Sequence, residues 1–128
     1  MLDSRDLTAW ARRRPPAELL SLMEVAARSG GAVVAPTVIL VESTTSRPRD
    51  DARTDQLLHR TDPEDCTLPQ ARQSAVLRHR CDRDVSAVDA VVAAVAAARP
   101  GAAVLTSDPE DLAALLASAG RPVPVVAI

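Results

Sequence analysis

The chain has no lysine, no phenylalanine and no tyrosine, and its 128 residues include one tryptophan, two cysteines and four glycines. Each shortage excludes something. With a single Trp and no Phe or Tyr, a surface that binds nucleic acid by stacking bases on aromatic side chains is not expected. Cys66 and Cys81 lack the C-x-x-C spacing of a redox or zinc pair, and the N-terminal residues lack the basic, apolar and small-residue order of a secretory signal. Both features lead us to expect a cytoplasmic protein. No apolar run approaches the roughly 20 residues that span a bilayer, so no membrane partner is expected. His59 and His79 stand on separate polar segments and read as solvated side chains rather than ligands.

What remains is a chain that is 47% hydrophobic, built almost wholly from Ala, Val and Leu. Its length fits one domain, residues 1–128, with enough chain to bury a core. All 15 basic residues are Arg, set against 17 acids for a formal charge of −2. A molecule of that charge does not attract a polyanion as a whole. Any contact with nucleic acid must use a local Arg cluster or a metal ion.

Periodicity gives the elements. "MLD" reads as a strand end, followed by helical sequence over 6–13, which "RRRPP" breaks. "PAELLSLMEVAARSGG" has Leu19, Leu20, Leu22, Met23 and Val25 near helical spacing and stops at Gly30 and Gly31. "AVVAP" is a short buried strand, and "TVILVESTTS" after it reads as a helix. "RPRDDAR" is polar and turn-like. A helix is expected over 54–60, a short strand over 65–67, and a helix from Pro69 to about Arg80. "DVSAVDAVVAAVAAARPG" is a helix that begins near Ser86 and ends at Pro100 and Gly101. "AAVLT" is a strand, "PEDLAALLASAG" a helix, and "VPVVAI" a final strand. Helices that alternate with short, continuously apolar strands point to an α/β fold with a parallel sheet covered on both faces.

Four carboxylates need an explanation beyond local structure. Asp89 borders the Val88, Val92 and Val95 face of an Ala/Val helix and has no basic neighbour within a helical turn. A buried, unpaired carboxylate is costly unless something charged meets it, although Ser86 three residues earlier also allows a capping role. Glu42 follows a largely apolar run with no partner four residues away. Asp3 follows "ML" and Asp108 follows "VLTS", and each suits an N-cap. In a parallel α/β sheet, however, strand ends and the first turns of crossover helices share one edge, where such folds place ligands. Four acids there require a cation, and an all-oxygen set selects Mg²⁺ or Mn²⁺ over Zn²⁺. Such an ion holds phosphates and activates water, the chemistry of phosphodiester hydrolysis.

With "VSAVDAVVAAVAA" followed by "GAAVLTSDPEDLAALL", the chain resembles the PIN-domain nucleases, particularly the VapC-type toxins of toxin–antitoxin pairs. "MLDS" and "VVAPTVILVE" extend the resemblance over the whole length. It implies a three-layer α/β/α fold around a central, mainly parallel sheet of four or five strands. It also implies a Mg²⁺- or Mn²⁺-dependent endoribonuclease, with Asp3, Glu42, Asp89 and Asp108 as catalytic metal ligands and Asp111 as an accessory one. Thr106 matches a polar residue that supports the site. RNA, a cognate antitoxin protein and a second copy of the chain are the partners implied. Two features depart from the pattern: only Met1 and Leu2 precede Asp3, and Arg5 stands where members tend to carry a small hydroxyl residue. Arg5 is a candidate for pairing with Asp3 or for gripping substrate, along with Arg47, Arg49 and Arg53. A catalytically silent PIN-like module that binds RNA or protein is the alternative reading, and an unrelated α/β domain whose acids are caps and surface charges is a third.

Overall fold

The structure, a computed structural model, describes residues 1–3, 17–106 and 108–127. The helix expected over 6–13 and the candidate Arg5 lie outside the described residues. The described elements run α1 (Ala17–Arg28), β1 (Val34–Pro36), a 3₁₀ turn (Thr37–Ile39), α2 (Leu40–Ser43), α3 (Pro48–Leu58), β2 (Asp62–Glu64), α4 (Leu68–Arg80), α5 (Ala87–Ala97), β3 (Val104–Thr106), α6 (Pro109–Leu116) and β4 (Val125–Ala127). Helices and short parallel strands alternate, as the periodicity predicts.

Among the described residues, the strands do not form a continuous sheet of four or five. Strand β1 pairs in parallel with β2, and β3 pairs in parallel with β4, giving two two-stranded sheets. The segment that should lie between them is a single bridge, Leu2 to Leu105. The Leu2 N–H donates to Val34 O at 3.0 Å, and the Leu105 N–H donates to Met1 O at 2.9 Å. Met1 and Leu2 therefore tie the two pairs together by their backbones, but too few residues take part to make a strand.

Local chemistry accounts for most boundaries. Gly30 ends the α1 segment with φ 72°, in the left-handed region that glycine enters without steric cost. Helix α4 opens on a capping box: Gln70 N–H donates to Thr67 Oγ1, and Thr67 N–H donates to Gln70 Oε1. Two expectations fail. Helix α3 begins at Pro48, six residues before Thr54, because Pro48 suits the first helical position and Asp50 and Asp51 complement its N-terminal dipole. Asp51 Oδ1 also accepts from the Thr45 N–H and hydroxyl, which ties down the preceding loop. The strand expected over 65–67 instead occupies Asp62–Glu64, where Asp62 N–H reaches Val33 O at 2.8 Å. Pairing with β1 outweighs the poor strand propensity of Asp-Pro-Glu.

Helix α5 is the centre of the packing. Val88, Ala90 and the whole run Val92–Ala96 are buried, and the helix lies against α4, α6 and β1. Leu2, Ile39, Leu77, Val104 and Leu112 complete the same core. Among the described residues, no helix is long and apolar enough to cross a membrane. Because Leu2 is fully buried at the junction of the two strand pairs, Leu2→Ala should cost about 2–5 kcal/mol in a denaturant or thermal melt. Val25→Ala, at a 60% exposed position, should stay within about 0.5 kcal/mol of wild type.

Candidate carboxylate site

The acids singled out in the sequence fall where strands end and crossover helices begin. Asp3 directly follows the Leu2 bridge and is buried, 2% exposed. Glu42 lies on α2, just after the turn that leaves β1, and is exposed. Asp108 follows β3, and Asp89 and Asp111 occupy the first turns of α5 and α6.

Asp89 is half-buried because α5 is buried on nearly every side. Ser86 caps the helix, its Oγ accepting the Asp89 N–H at 3.0 Å. The capping role is therefore real, yet it does not exhaust what Asp89 meets. Its carboxyl is pushed above the ordinary carboxylate range, first by burial and then by the like charges of Glu42, Asp3 and Asp111, while a hydrogen bond with Ser86 pulls the other way. Acids from three other segments thus act on Asp89. Asp108 enters through a different partner, adding to the negative field at Arg83.

The Asp108 turn combines two functions. Its backbone occupies the N-cap position of α6, but its side chain makes no capping hydrogen bond. The Asp108 N–H donates to Thr106 Oγ1 at 2.9 Å, and Thr106 is fully buried. Thr106 thus sets the turn that presents Asp108. Arg47 precedes α3, and Arg49 and Arg53 lie on it, with Arg47 and Arg49 exposed.

Arg83 is the residue that sequence reasoning missed. It lies on the loop between α4 and α5, and its Nη1 and Nη2 reach Glu110 Oε2 and Asp111 Oδ1, each at 3.1 Å. These carboxylates raise its pKa, with the Glu110 hydrogen bond contributing most. In the sequence Arg83 sits between Asp82 and Asp84 and reads as part of a solvated charge run. No local signal announces partners 27 residues away.

The donor set is chemically suited to a hard divalent ion, since all its members are carboxylates. Among the described residues, no three Asp, Glu, His or Cys side chains come close enough together to surround one ion. A closed protein cage for an ion is therefore not formed by the described residues. A cleft of about 490 Å³ lies elsewhere, at the start of β1, between Leu20, Met23, Ala27 and Val33. None of the candidate acids lines it.

Protonation of Asp89 favours the folded state. That contribution is fully present below the ordinary value of 3.8 and is lost as pH rises through the raised folded-state value. Asp89→Asn should therefore melt at a higher temperature than wild type at pH 7 in chelator, and the difference should vanish near pH 3.

No family profile matches the chain, and no curated protein is significantly similar to it. Among solved structures, the chain is similar to one in the crystal structure of VapBC2 from Rickettsia felis bound to a DNA fragment from their promoter. The TM-score is 0.77 at 15% sequence identity, and the match covers 100% of this chain and 97% of that one. At such low identity the likeness shows a shared fold and nothing further.

Proposed function

We propose that the protein is a PIN-type endoribonuclease dependent on Mg²⁺ or Mn²⁺, acting as the toxin of a type II toxin–antitoxin pair. The observation that carries this reading is Asp89, a half-buried acid whose charge is opposed by Glu42, Asp3 and Asp111. Such a grouping is unfavourable alone and is relieved by a cation. The full-length likeness to a VapBC2 chain supports the toxin–antitoxin context.

In this reading Asp3, Glu42, Asp89 and Asp108 hold the ion directly or through water, with Asp111 as an accessory. When bound, the ion neutralises phosphate charge and makes a water acidic enough to supply the nucleophile. The chain's own residues do the positioning. Ser86 orients the first turn of α5 beneath Asp89, and Thr106 holds the Asp108 turn. Arg5, Arg47, Arg49 and Arg53 are the candidates for gripping the RNA backbone. In-line hydrolysis leaves a 5′-phosphate and a 3′-hydroxyl, as the family resemblance implies. A cognate antitoxin and a second copy of the chain are the protein partners of this reading.

A catalytically silent PIN-like module that binds RNA or protein is the second reading. It is favoured by the absence, among the described residues, of three acids close enough for one ion. The two separate in one assay of structured RNAs with Mn²⁺ or Mg²⁺. The nuclease reading expects cleavage by wild type and a loss of about 100-fold or more in both Asp89→Asn and Asp108→Asn. Equal cleavage by all three proteins removes it, and RNA binding by wild type with no cleavage at high protein concentration selects the silent module.

A further inference from the structure

Helix α4 is neutral on its inner side, while its outer side is both apolar and basic. Ser74 and Leu77 are the buried residues, on the side that packs against α5 and α6. On the opposite side Leu68, Arg72, Val76 and Arg80 follow one another at four-residue steps, about 6 Å per step along the axis. Leu68 is 64% exposed and Val76 38%. Ala75 and His79 flank this row, and a shallow hollow opens between Ala75, Val76, His79 and Arg80. The helix contains three Arg and one His but no acid. Arg78 is used by the fold, its Nε donating to Val85 O at 3.1 Å. Among the described residues, no carboxylate pairs with Arg72, His79 or Arg80.

Cations in a last turn complement the helix dipole, which accounts for His79 and Arg80. It does not account for Arg72 in mid-helix, nor for Leu68 and Val76 exposed on the same row. Three occupants can be weighed by charge and shape. A second copy related by a two-fold axis would set this basic row against itself, and like charges in contact are costly. An RNA backbone would meet the Arg side chains but leave Leu68 and Val76 against hydrated phosphates, with no aromatic ring on the helix to stack a base. An acidic amphipathic helix satisfies both halves of the pattern. Its own four-residue ridge fits beside that of α4, with carboxylates opposite Arg72 and Arg80 and apolar side chains on Leu68 and Val76.

We propose that the outer face of α4 docks a helical segment of a partner protein in which apolar and acidic residues alternate at four-residue spacing. The inference involves no metal ion and stands apart from the nuclease reading.

The probe is a labelled, acetylated Ala-based helical peptide carrying Leu and Glu alternately at every fourth position, followed by anisotropy with the full chain. A twin peptide with Gln in place of Glu is the control. Wild type should bind the acidic peptide about tenfold or more tightly than its twin, and added salt should narrow the difference. Arg72→Glu and Arg28→Glu change the net charge equally, on α4 and on α1. Arg72→Glu should weaken binding about tenfold, whereas Arg28→Glu should bind as wild type does. Val76→Ser should weaken it about threefold or more, because the apolar contact is lost. Thermal melts confirm that the variants fold, as exposed positions allow.

No saturable binding of the acidic peptide by wild type overturns the inference. Equal weakening by Arg72→Glu and Arg28→Glu overturns it too, since the whole-molecule field would then be the cause. Unchanged binding by Val76→Ser reduces the face to a charge patch and overturns the helical partner. If an oligoribonucleotide displaces the peptide and loses affinity in Arg72→Glu while Val76→Ser leaves it unaffected, the face belongs to RNA and the proposed occupant is wrong.

Discussion

A helix buried on nearly every side must accommodate any charge placed in its first turn, and α5 carries Asp89 there. Ala and Val make up the rest of Ala87–Ala97, so the helix packs closely against α4, α6 and β1 and leaves Asp89 half-buried. Burial, and then the charges of carboxylates from three segments far apart in the chain, raise the cost of ionising it. Much of the functional argument follows from this placement. A surface helix would have let the same acid solvate independently.

Arg83 and Thr106 show how the surrounding structure supports that edge. Thr106 is fully buried and uses its hydroxyl to accept the Asp108 N–H, so the turn after β3 is fixed without consuming the Asp108 carboxylate as a cap. Arg83 brings positive charge to Glu110 and Asp111 from an exposed loop.

Much of the architecture was legible because its signals are local. The stop after α1 is written in Gly30, the start of α5 in Ser86, and the buried strands β1 and β3 in short apolar runs. The failures have a common cause. The polar stretch from Pro48 looks like a turn until Asp51 is seen to hold the Thr45 loop, and Asp62–Glu64 looks like anything but a strand until Val33 offers it a partner. Arg83 escaped notice for the same reason, since its partners lie on another helix. The central sheet of four or five strands is not seen among the described residues, because strand periodicity does not reveal which segments pair.

By itself the sequence determined which residues carry charge next to apolar runs, and so which acids lacked a local partner. It also determined the alternation of helix and strand, because periodicity and caps act within a few residues. Only the tertiary structure decided that Leu2 joins two strand pairs instead of extending one sheet, that Asp3, Glu42 and Asp111 raise the cost of ionising Asp89, and that Arg83 pairs with Asp111. These depend on electrostatic and hydrogen-bonding contacts between segments distant along the chain, which no local pattern encodes.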